Sequence, residues 1–420
     1  RYFIVITLQH PTPISSLLHL ETCDLALRSI EANSFHAFLD FSEIIEAKTS
    51  KTKEFLTKLS FNTSENNSIF SGWVGFFSYE FLAHHRNVKL HARKDLDVPD
   101  AWFGRPRSSI IFSPDQTKIV SCNSSREKEL AKILTREIKP TKSNKSERGE
   151  SLIKCNLSFS EYEKIFKQAK EAILDGETYQ IKISQRFEAE AKIDPLLAFA
   201  KLSESNPAPE AFLLKTPEFS LVSCSPEVVI EKTGNRILTR PIGGTYARNS
   251  SGSDQSVIER FLNDPKEVSE HNMLVDLERN DLSTLCVPGT VHLERFREVE
   301  TYSHLHHLVS TIHGELKQNT NLSDILQGML PGGSITGCPK MRTMEWIDKL
   351  EPCFRGSYTG SFGIIEDSGD LRLNLIIRSM LILGERCYTQ AGGGIVVDST
   401  PEYEYRENQI KAQALLDLLS

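Results

Sequence analysis

The sequence predicts an α+β protein, because segments with strand patterns and segments with the pattern of amphipathic helices follow one another along the chain. Residues 73–80 combine glycine with large aromatic side chains, which is typical of a strand buried inside a sheet. Residues 158–174 repeat apolar side chains at helical spacing, and residues 179–187 then alternate as a strand does. A chain of 420 residues is long enough for two or three average domains or for a single large core.

Composition and charge are ordinary for a soluble globular protein, with 39% hydrophobic and 25% charged residues. The formal net charge of −7 disfavours nucleic acid as a partner, because such partners require a basic surface. No apolar run reaches the roughly 18 residues that a membrane-spanning helix needs, and the apolar residues 2–6 are too few for a signal peptide. The eight cysteines are scattered without a C-x-x-C motif, so we interpret them as reduced thiols and expect a cytoplasmic protein.

A polar segment at residues 137–151 divides the chain. It is dense in lysine, serine and glutamate and poor in apolar side chains, a composition typical of an exposed linker. We therefore expect an N-terminal region at residues 1–136 and a C-terminal region at residues 152–420.

The C-terminal region opens with a clear helix signal. Ser158 and Glu161 have the spacing of a capping box, in which each side chain satisfies a backbone N–H of the other residue. Gly176 predicts the end of this helix. On the strand that follows, Gln180 and Lys182 point to the same face, because side chains alternate along a strand.

Residues 240–281 contain a tight turn followed by a second helix. Gly243 and Gly244 have no bulky side chain, so the backbone at this turn can approach a ligand closely. Asp264 precedes a proline, and this pair predicts a capped helix start. One face of this helix carries Glu267, Glu270 and His271.

Two carboxylates on one helix face permit two interpretations. Glu267 and Glu270 belong to a solvated face, where their repulsion costs little, or they bind a hard cation such as Mg²⁺, which takes one or two protein carboxylates and leaves room for ligand oxygens. A further helix predicted from Pro401 favours the second interpretation, because Glu404 and Glu407 share one of its faces. The same helix also presents Lys411, beside an apolar stripe made of Tyr403, Ile410, Ala414 and Leu418.

A glycine run at residues 391–396 enters an apolar strand just before that helix. Such a run brings backbone N–H groups close to a bound anion, although glycine runs are more often plain turns.

Eight ordered motifs carry a resemblance to a known family. They are S-P-E at residues 225–227, P-I-G-G-T at 241–245, K-E-V-S-E-H at 266–271, H-L-V-S-T at 307–311, G-S-I-T-G-C-P-K at 333–340, L-I-I-R at 375–378, A-G-G-G-I-V at 391–396 and E-Y-E-Y-R-E-N-Q-I-K at 402–411. The chain resembles the chorismate-utilising enzymes, closely over residues 157–420 and more loosely before them. The family includes anthranilate synthase component I, aminodeoxychorismate synthase component I, isochorismate synthase and salicylate synthase. The resemblance implies a large two-lobed α/β sandwich of antiparallel sheets flanked by helices.

The resemblance also implies an active site. Glu227 matches the general acid that protonates the departing 4-hydroxyl of chorismate, and Thr245, His307 and Gln180 match positions beside the substrate. Mg²⁺ is expected at Glu270 and Glu407, with Glu267 and Glu404 acting through water. Substrate contacts are expected from Tyr358, Arg378, Lys411, Ser334, Gly243, Gly244, Gly392, Gly393 and Gly394. The apolar residues 373–381 place Arg378 on a strand, and its fork suits a carboxylate because it binds both oxygens.

Two positions bear on which reaction takes place. Water-adding members of the family carry a lysine base where this chain has Gln180, and a glutamine cannot act as a base at neutral pH, which indicates amination by ammonia. Aminodeoxychorismate synthases usually carry lysine where this chain has Gly243, and anthranilate synthases carry alanine. Glycine offers no nucleophile and favours amination at C2. The motifs at residues 333–337 and 392–394 instead resemble the aminodeoxychorismate type.

We therefore expect an aminodeoxychorismate synthase component I, which aminates chorismate in a Mg²⁺-dependent reaction on the route to 4-aminobenzoate and folate. Anthranilate synthase component I, of tryptophan biosynthesis, is the alternative within the family. A chorismate-binding relative without catalytic activity is the alternative from another class. No glutaminase motif is found, so ammonia is expected from a separate glutamine amidotransferase subunit.

Lys182 suggests one hypothesis beyond the family pattern. It shares a strand face with Gln180, so it is a candidate to replace the lysine missing at Gly243. A lysine that reaches solvent or pairs with a carboxylate is the simpler interpretation.

Overall fold

The structure, a computed structural model, describes residues 5–20, 24–48, 51–59, 70–136, 152–248, 254–301 and 305–419. The linker predicted at residues 137–151 lies outside the described residues. Strands in the described part are β1 Val5–Leu8, β2 Leu25–Glu31, β3 Ser34–Ala47, β4 Gly72–Phe77, β5 Ala101–Phe112, β6 Thr117–Ser121, β7 Lys154–Cys155, β8 Gln180–Glu190, β9 Phe212–Lys215, β10 Ser220–Ser223, β11 Val228–Thr233, β12 Arg236–Thr239, β13 Ile242–Ala247, β14 His292–Thr301, β15 Leu305–Glu315, β16 Gly337–Cys338, β17 Ser361–Glu366, β18 Leu371–Asn374, β19 Ser379–Leu383 and β20 Arg386–Ile395.

The helices of the described residues fall between these strands. They are α1 Thr52–Lys58, α2 Tyr79–His85, α3 Ser124–Leu134, α4 Phe159–Leu174, α5 Pro195–Ser205, α6 Asp254–Leu262, α7 Pro265–Leu285, α8 Leu322–Met329, α9 Gly333–Thr336, α10 Lys340–Leu350 and α11 Pro401–Leu416, with short 3₁₀ helices at Ile14–His19 and Asp417–Leu419. Within the part of the chain that the structure describes, no helix combines the length and the apolar character that crossing a membrane requires.

The strands form two antiparallel sheets that are continuous through β5. One sheet runs β1-β6-β5-β3-β2-β9-β10-β19-β20-β8, with β7 and β16 on its far edge. The other runs β5-β4-β17-β18-β11-β12-β15, and both β13 and β14 also pair with β15. β5 belongs to both sheets, because residues 101–104 pair with β4 and residues 108–112 pair with β6.

Aromatic side chains fill the space between the two sheets. Phe212 of β9 and Phe362 of β17 stack with ring centroids 3.9 Å apart, and Phe38 and Phe76 belong to the same buried cluster. Helices α3 and α5 pack on the outside of the first sheet, and α1, α2, α7 and α8 pack on the outside of the second. This arrangement confirms the predicted α+β sandwich of antiparallel sheets flanked by helices.

Local capping signals explain where two helices of the C-terminal region begin. The Ser158 hydroxyl accepts a hydrogen bond from the Glu161 N–H, and the Glu161 carboxylate accepts one from the Ser158 N–H at 2.8 Å, so the predicted capping box is confirmed. At the start of α7, the Asp264 carboxylate accepts a hydrogen bond from the Glu267 N–H at 3.3 Å. Asp264 therefore caps the first turn of α7, as the sequence predicts.

Two local predictions are wrong. The strand predicted over residues 373–381 is interrupted, because β18 ends at Asn374, β19 begins at Ser379, and Arg378 between them has a left-handed φ of 48°. The apolar stripe predicted on α11 is wrong for Tyr403 and Ile410, which are 56% and 66% exposed, whereas Ala414 and Leu418 pack against the core. α11 instead buries Glu404, Asn408, Ala412, Leu415 and Leu416.

Candidate active site

The acidic face of α7 lies directly against β13. A Cβ atom placed on Gly244 would collide with a carboxylate oxygen of Glu267, and a Cβ atom on Gly243 would collide with the ring of His271. The space in front of both glycines is therefore filled by side chains of α7. Glycine at these two positions lets the helix approach the strand.

The end of β20 presents a second group of site residues together with β8. Gly394 stands opposite Lys182 in the antiparallel ladder. A Cβ atom on Gly394 would collide with the Gln180 amide and would come within 3.2 Å of the Lys182 Cε atom. Gln180 and Lys182 therefore share the face of the sheet that the strand pattern predicts.

Helix α11 crosses the same end of β20. A Cβ atom on Gly393 would stand 2.5 Å from the Glu404 Oε2 atom and 3.4 Å from the Glu407 Oε2 atom. The Lys411 ammonium donates a hydrogen bond to the Gly392 carbonyl at 3.3 Å and lies 3.3 Å from the Glu407 carboxylate. The glycine run thus allows the acidic face of α11 to lie close to the strand.

Lys182 connects the two acidic helices electrostatically. Burial lowers its pKa, and the Lys411 ammonium lowers it further, whereas Glu270, Glu407 and Glu404 raise it, with a net lowering from the ordinary value. A charge that responds to carboxylates of both helices must lie near both. Glu270 of α7 and Glu404 and Glu407 of α11 therefore lie in one region of the molecule, around Lys182. We refer to this region as the cleft.

The donor set of this cleft suits a hard divalent cation. Glu270 and Glu407 are partly exposed, whereas Glu404 is 2% exposed and accepts a hydrogen bond from the Ser399 hydroxyl at 2.9 Å. Across the described ranges, no three His, Cys, Asp or Glu side chains are arranged to hold a metal ion by themselves. Mg²⁺ needs only one or two protein carboxylates and keeps its other positions for water and substrate oxygens. Glu270 and Glu407, both partly exposed and both near enough to Lys182 to raise its pKa, fit such an open site.

Glu227 lies in the connection between β10 and β11, at another wall of the cleft. Its side chain is 7% exposed, and its Oε1 atom accepts a hydrogen bond from the Ser334 hydroxyl at 2.9 Å. Burial raises the pKa of Glu227 to about 8, the Glu278 charge raises it further, and Ser334, Lys182 and Arg378 oppose the increase. The carboxyl group therefore holds its proton at neutral pH.

Arg378 stands close enough to Glu227 and His307 to affect the pKa of each. Burial lowers its own pKa, and no other described residue forms a hydrogen bond or an ion pair with its guanidinium. A desolvated guanidinium with nothing to bind is costly, so its position is best explained by an anionic ligand.

His307 and Tyr358 complete the group that the structure brings together. His307 is 2% exposed, and burial with the nearby Arg378 charge lowers its pKa to about 4, so the imidazole is neutral. Its backbone pairs with Thr245, of which only the backbone is described. A Cβ atom on Gly392 would stand 3.1 Å from the Tyr358 hydroxyl oxygen, which places the Tyr358 hydroxyl beside the glycine run.

Comparison with known proteins identifies the family. The sequence profile of the chorismate binding enzymes matches residues 22–417. This chain belongs to the chorismate binding enzyme family. Aminodeoxychorismate synthase component 1 of Bacillus subtilis (strain 168) is 33% identical over 356 residues, which cover 82% of this chain and 76% of the relative. Anthranilate synthase component 1 of Arthrobacter globiformis is 35% identical over 374 residues, which cover 82% and 70%.

A solved structure supports the same fold. The crystal structure of anthranilate synthase component I from Streptococcus pneumoniae TIGR4 matches with a TM-score of 0.78 at 24% sequence identity, and the match covers 100% of this chain and 92% of that one. Relatives of both aminating types therefore match at similar identity. The comparisons define a chorismate-utilising enzyme of the anthranilate and aminodeoxychorismate synthase type, as the motifs predicted, without separating the two.

Sequence reasoning missed two buried carboxylates that support this chorismate binding enzyme site. Glu351 accepts hydrogen bonds from the Ser184 N–H and hydroxyl, both at 2.8 Å, and pairs with Arg355, whose guanidinium lies 5.7 Å from the Tyr358 ring centroid. Glu278 of α7 accepts a hydrogen bond from the Gly333 N–H at 3.1 Å. A single glutamate at the end of a helix or within it resembles a surface residue in sequence. Only the folded chain reveals that both are buried.

Proposed function

We propose that this chain is component I of an aminodeoxychorismate synthase, the subunit that aminates chorismate to 4-amino-4-deoxychorismate. The observation that carries the proposal is the combination of a buried proton donor, Glu227, with Gln180, a buried side chain that cannot act as a base. An acid without a base suits a reaction in which a hydroxyl leaves and the nucleophile needs no activation. Ammonia meets this requirement, whereas water does not. Within the aminating members, the motifs at residues 333–337 and 392–394, which resemble the aminodeoxychorismate type, favour this choice.

Carboxylate recognition is assigned to cations and backbone amides of the cleft. Arg378 offers a fork that binds both oxygens of a carboxylate, and Lys411 offers a second positive charge beside Gly392. The pairing of β19 with β20 ends at Thr389, so the backbone of residues 392–394 is paired along its β8 edge only in the described part of the chain. Amides on the other edge are positioned to bind an anion.

Glu227 supplies the proton for the departing hydroxyl. Because the Ser334 hydroxyl donates to Oε1, the proton of the neutral carboxyl resides on Oε2, which is the transferable position. The 4-hydroxyl takes this proton and leaves as water, ammonia adds to the ring, and the ammonium group that forms returns one proton to the Glu227 carboxylate. His307 remains neutral at neutral pH and therefore adds no charge beside the substrate ring.

The glutamates of α7 and α11 are assigned to Mg²⁺. Glu270 and Glu407 would hold the ion, with Glu267 and Glu404 contributing through water. When bound, the ion neutralises a substrate carboxylate and orients the ring. Ammonia is assigned to a separate glutamine amidotransferase subunit, since the sequence carries no glutaminase motif.

Anthranilate synthase component I is the second candidate, and Gly243 is the observation that favours it. The position at which the resemblance to aminodeoxychorismate synthases implies a lysine has no side chain here, and the space that its Cβ would need is filled by His271. Without an amine at this point, direct addition of ammonia to C2 is the simpler chemistry. Anthranilate would then form with loss of pyruvate.

A product assay separates the candidates. The purified protein is incubated with chorismate, Mg²⁺ and ammonium in the absence of any lyase, and pyruvate release is measured alongside product separation. We expect a product of aminodeoxychorismate mass without pyruvate, which yields 4-aminobenzoate only after a lyase is added. Anthranilate with stoichiometric pyruvate would replace our proposal with the second candidate. The Glu227→Gln variant is the control that ties either product to this site.

A further inference from the structure

A second buried carboxyl group, Glu278, lies on the same face of α7 as the acidic cluster. It is eight residues beyond Glu270, just over two helical turns, and its side chain is 2% exposed. Its Oε1 atom accepts a hydrogen bond from the Gly333 N–H at 3.1 Å, and its Oε2 atom accepts one from the Thr239 hydroxyl at 3.4 Å. Burying a carboxyl group costs free energy that an apolar side chain would not. The burial of Glu278 is therefore explained best by a role in the reaction.

The hydrogen bonds of Glu278 lead directly to the acid Glu227. Gly333 is followed in the chain by Ser334, whose hydroxyl donates to Glu227 at 2.9 Å. A Cβ atom on Gly333 would stand 3.1 Å from the Glu278 Oε1 atom, so the backbone there is packed tightly against the carboxyl. Holding the Gly333 amide therefore holds the residue that orients Glu227.

The surroundings of Glu278 raise its pKa less than those of Glu227 raise the pKa of that residue. Burial raises the pKa of Glu278 to about 7, and the Asp281 carboxylate raises it further, while the Lys340 ammonium from α10 and the hydrogen bonds from Gly333 and Thr239 oppose the increase. Lys340 itself forms an ion pair with Asp281. Burial lowers the pKa of Arg86, the C-cap residue of α2, and the charges of Asp281 and Glu278 oppose the decrease. Glu227 by contrast accepts one hydroxyl hydrogen bond. Of the two buried carboxyls, Glu278 has the stronger support for a negative charge.

We propose that Glu278 is a positioning residue for the acid Glu227: its carboxylate fixes the backbone that carries Ser334, and its negative charge keeps the neighbouring carboxyl in the proton-donating form. The inference rests on the proposed function, in which Glu227 is the acid. The charges that face Glu227 are Lys182 of β8 and Arg378 of the β18–β19 connection, both of which favour its ionisation, and Glu278 of α7, which opposes it. Glu278 thus offsets the cations that are needed to bind an anionic substrate.

The Glu278→Gln variant tests the electrostatic role. Glutamine has the same shape and retains an oxygen for the Gly333 N–H, but it carries no charge. Removing the charge removes a cause of the raised pKa of Glu227, so we expect the alkaline limb of the kcat profile to move down by about one pH unit. A properly folded variant whose alkaline limb coincides with that of the wild type would overturn the proposal.

The Thr239→Val variant is the matched control. It removes the hydrogen bond to Oε2 and leaves the charge of Glu278 in place. We expect its alkaline limb to stay at the wild-type pH. A limb that moves as far as in Glu278→Gln would mean that packing, and not charge, sets the profile, and the proposal would be wrong.

A measurement on the substrate-free wild-type protein separates this inference from the proposed function. Infrared difference spectra report protonated buried carboxyls, and subtraction of spectra from Glu227→Gln and Glu278→Gln assigns each band. We expect the Glu278 band to disappear at a lower pH than the Glu227 band. The reverse order contradicts the inference even if the enzyme aminates chorismate, whereas absence of amination with the expected order contradicts only the proposed function. Should Glu278→Gln fail to fold, carboxyl ¹³C resonances of the labelled wild-type protein, with Glu227→Gln for assignment, give the same order.

Discussion

Arg378 combines an unusual backbone conformation with a proposed role in substrate binding. Its φ of 48° is unfavourable for a residue with a side chain, and such strain persists only where the surroundings enforce it. The surroundings here are neighbouring strands, since the Arg378 carbonyl accepts a hydrogen bond from the Cys224 N–H at 3.0 Å, and the Ile377 carbonyl accepts one from the Ser223 hydroxyl at 3.0 Å. The break between β18 and β19 thereby places the guanidinium near Glu227 and His307.

Arg378→Lys tests the assignment of substrate carboxylate binding. Lysine keeps the positive charge but loses the fork, so we expect KM for chorismate to rise by about 10–100-fold, the loss of a charged hydrogen bond, with a smaller effect on kcat. Arg372→Lys is a suitable control, because Arg372 pairs with Glu210 and Glu231. An equal rise of KM in both variants would point to a general disturbance of the sheet.

We expect the Glu227→Gln variant to be less active than the wild-type protein and, at high pH, more stable. We expect kcat to fall by about 10²–10⁴-fold, the usual contribution of a positioned acid. The pKa of Glu227 rises from its ordinary value of 4.5 to about 8 on folding. Its favourable contribution is therefore complete below pH 4.5 and is lost as the pH rises through 8.

The stability difference is measured by thermal unfolding across pH. At pH 9 the wild-type protein holds an ionised, buried Glu227, so the variant should be more stable by at most about 5 kcal/mol. The difference should shrink toward pH 5, where both proteins are neutral at this position. A difference independent of pH would contradict a raised pKa at Glu227.

The sequence indicates some of these residues and hides others for a physical reason. Glu227, Arg378 and His307 lie in ordered motifs that a family resemblance reveals. Glu278 carries no such signal, because a glutamate inside a helix is usually solvated, and its burial results from contacts with Thr239 and Gly333 that are distant in sequence.

Helix α11 shows what element-scale patterns can and cannot predict. Pro401 at its first position is confirmed, because the preference of proline for a helix start is local. The apolar face predicted from Tyr403, Ile410, Ala414 and Leu418 is wrong in its N-terminal half, where Glu404 and Asn408 are buried instead. Asn408 donates to the Gln185 side chain at 3.0 Å, so polar contacts replace apolar ones where the helix borders the cleft.

Gly393→Ala tests the close approach of α11 to β20. The added Cβ atom would stand 2.5 Å from the Glu404 Oε2 atom, and Glu404 is held by Ser399, so the carboxylate has little room to move away. We expect a loss of about 1–3 kcal/mol of stability, as for other overpacked sites, together with weaker Mg²⁺ binding.

Gly332→Ala supplies the comparison for this variant. Its added Cβ atom would have Val229 as its nearest neighbour at 3.6 Å, an ordinary van der Waals contact. Its melting temperature should stay near the wild-type value. If Gly393→Ala is equally stable and binds Mg²⁺ normally, the predicted contact between α11 and β20 is wrong.

At the scale of the whole molecule, the cleft lies between elements of different sheets. Helix α7 lies against β13 of the second sheet, and α11 lies against β20 of the first. Sequence patterns predict the strands but not this order, because pairings such as β4 with β17 and β2 with β9 join residues far apart in the chain. The family resemblance, and not periodicity, carries the prediction of the sandwich.

A cation bound by both helices should stabilise the whole protein. We expect Mg²⁺ at about 100 times its Kd to add roughly 2.7 kcal/mol to the free energy of unfolding and to raise the melting temperature by a few degrees, about 2–4 °C per kcal/mol at most. Glu270→Gln and Glu407→Gln should abolish the shift. Glu402→Gln, at an exposed position of the same helix, should retain it, and a shift that survives in all three variants would place the ion elsewhere.

The pairing of N-terminal strands with strands from later in the chain has a consequence for synthesis on the ribosome. The N-terminal strands β2 and β4 are synthesised early. However, β2 can pair with β9 only after residues 212–215 have been made, and β4 can pair with β17 only after residues 361–366 have been made. Until then their hydrogen-bonding edges remain open, which makes a nascent chain prone to non-native pairing. Neither sheet can close until the last third of the chain has been made, so a truncated product should accumulate as aggregate and not as a folded half.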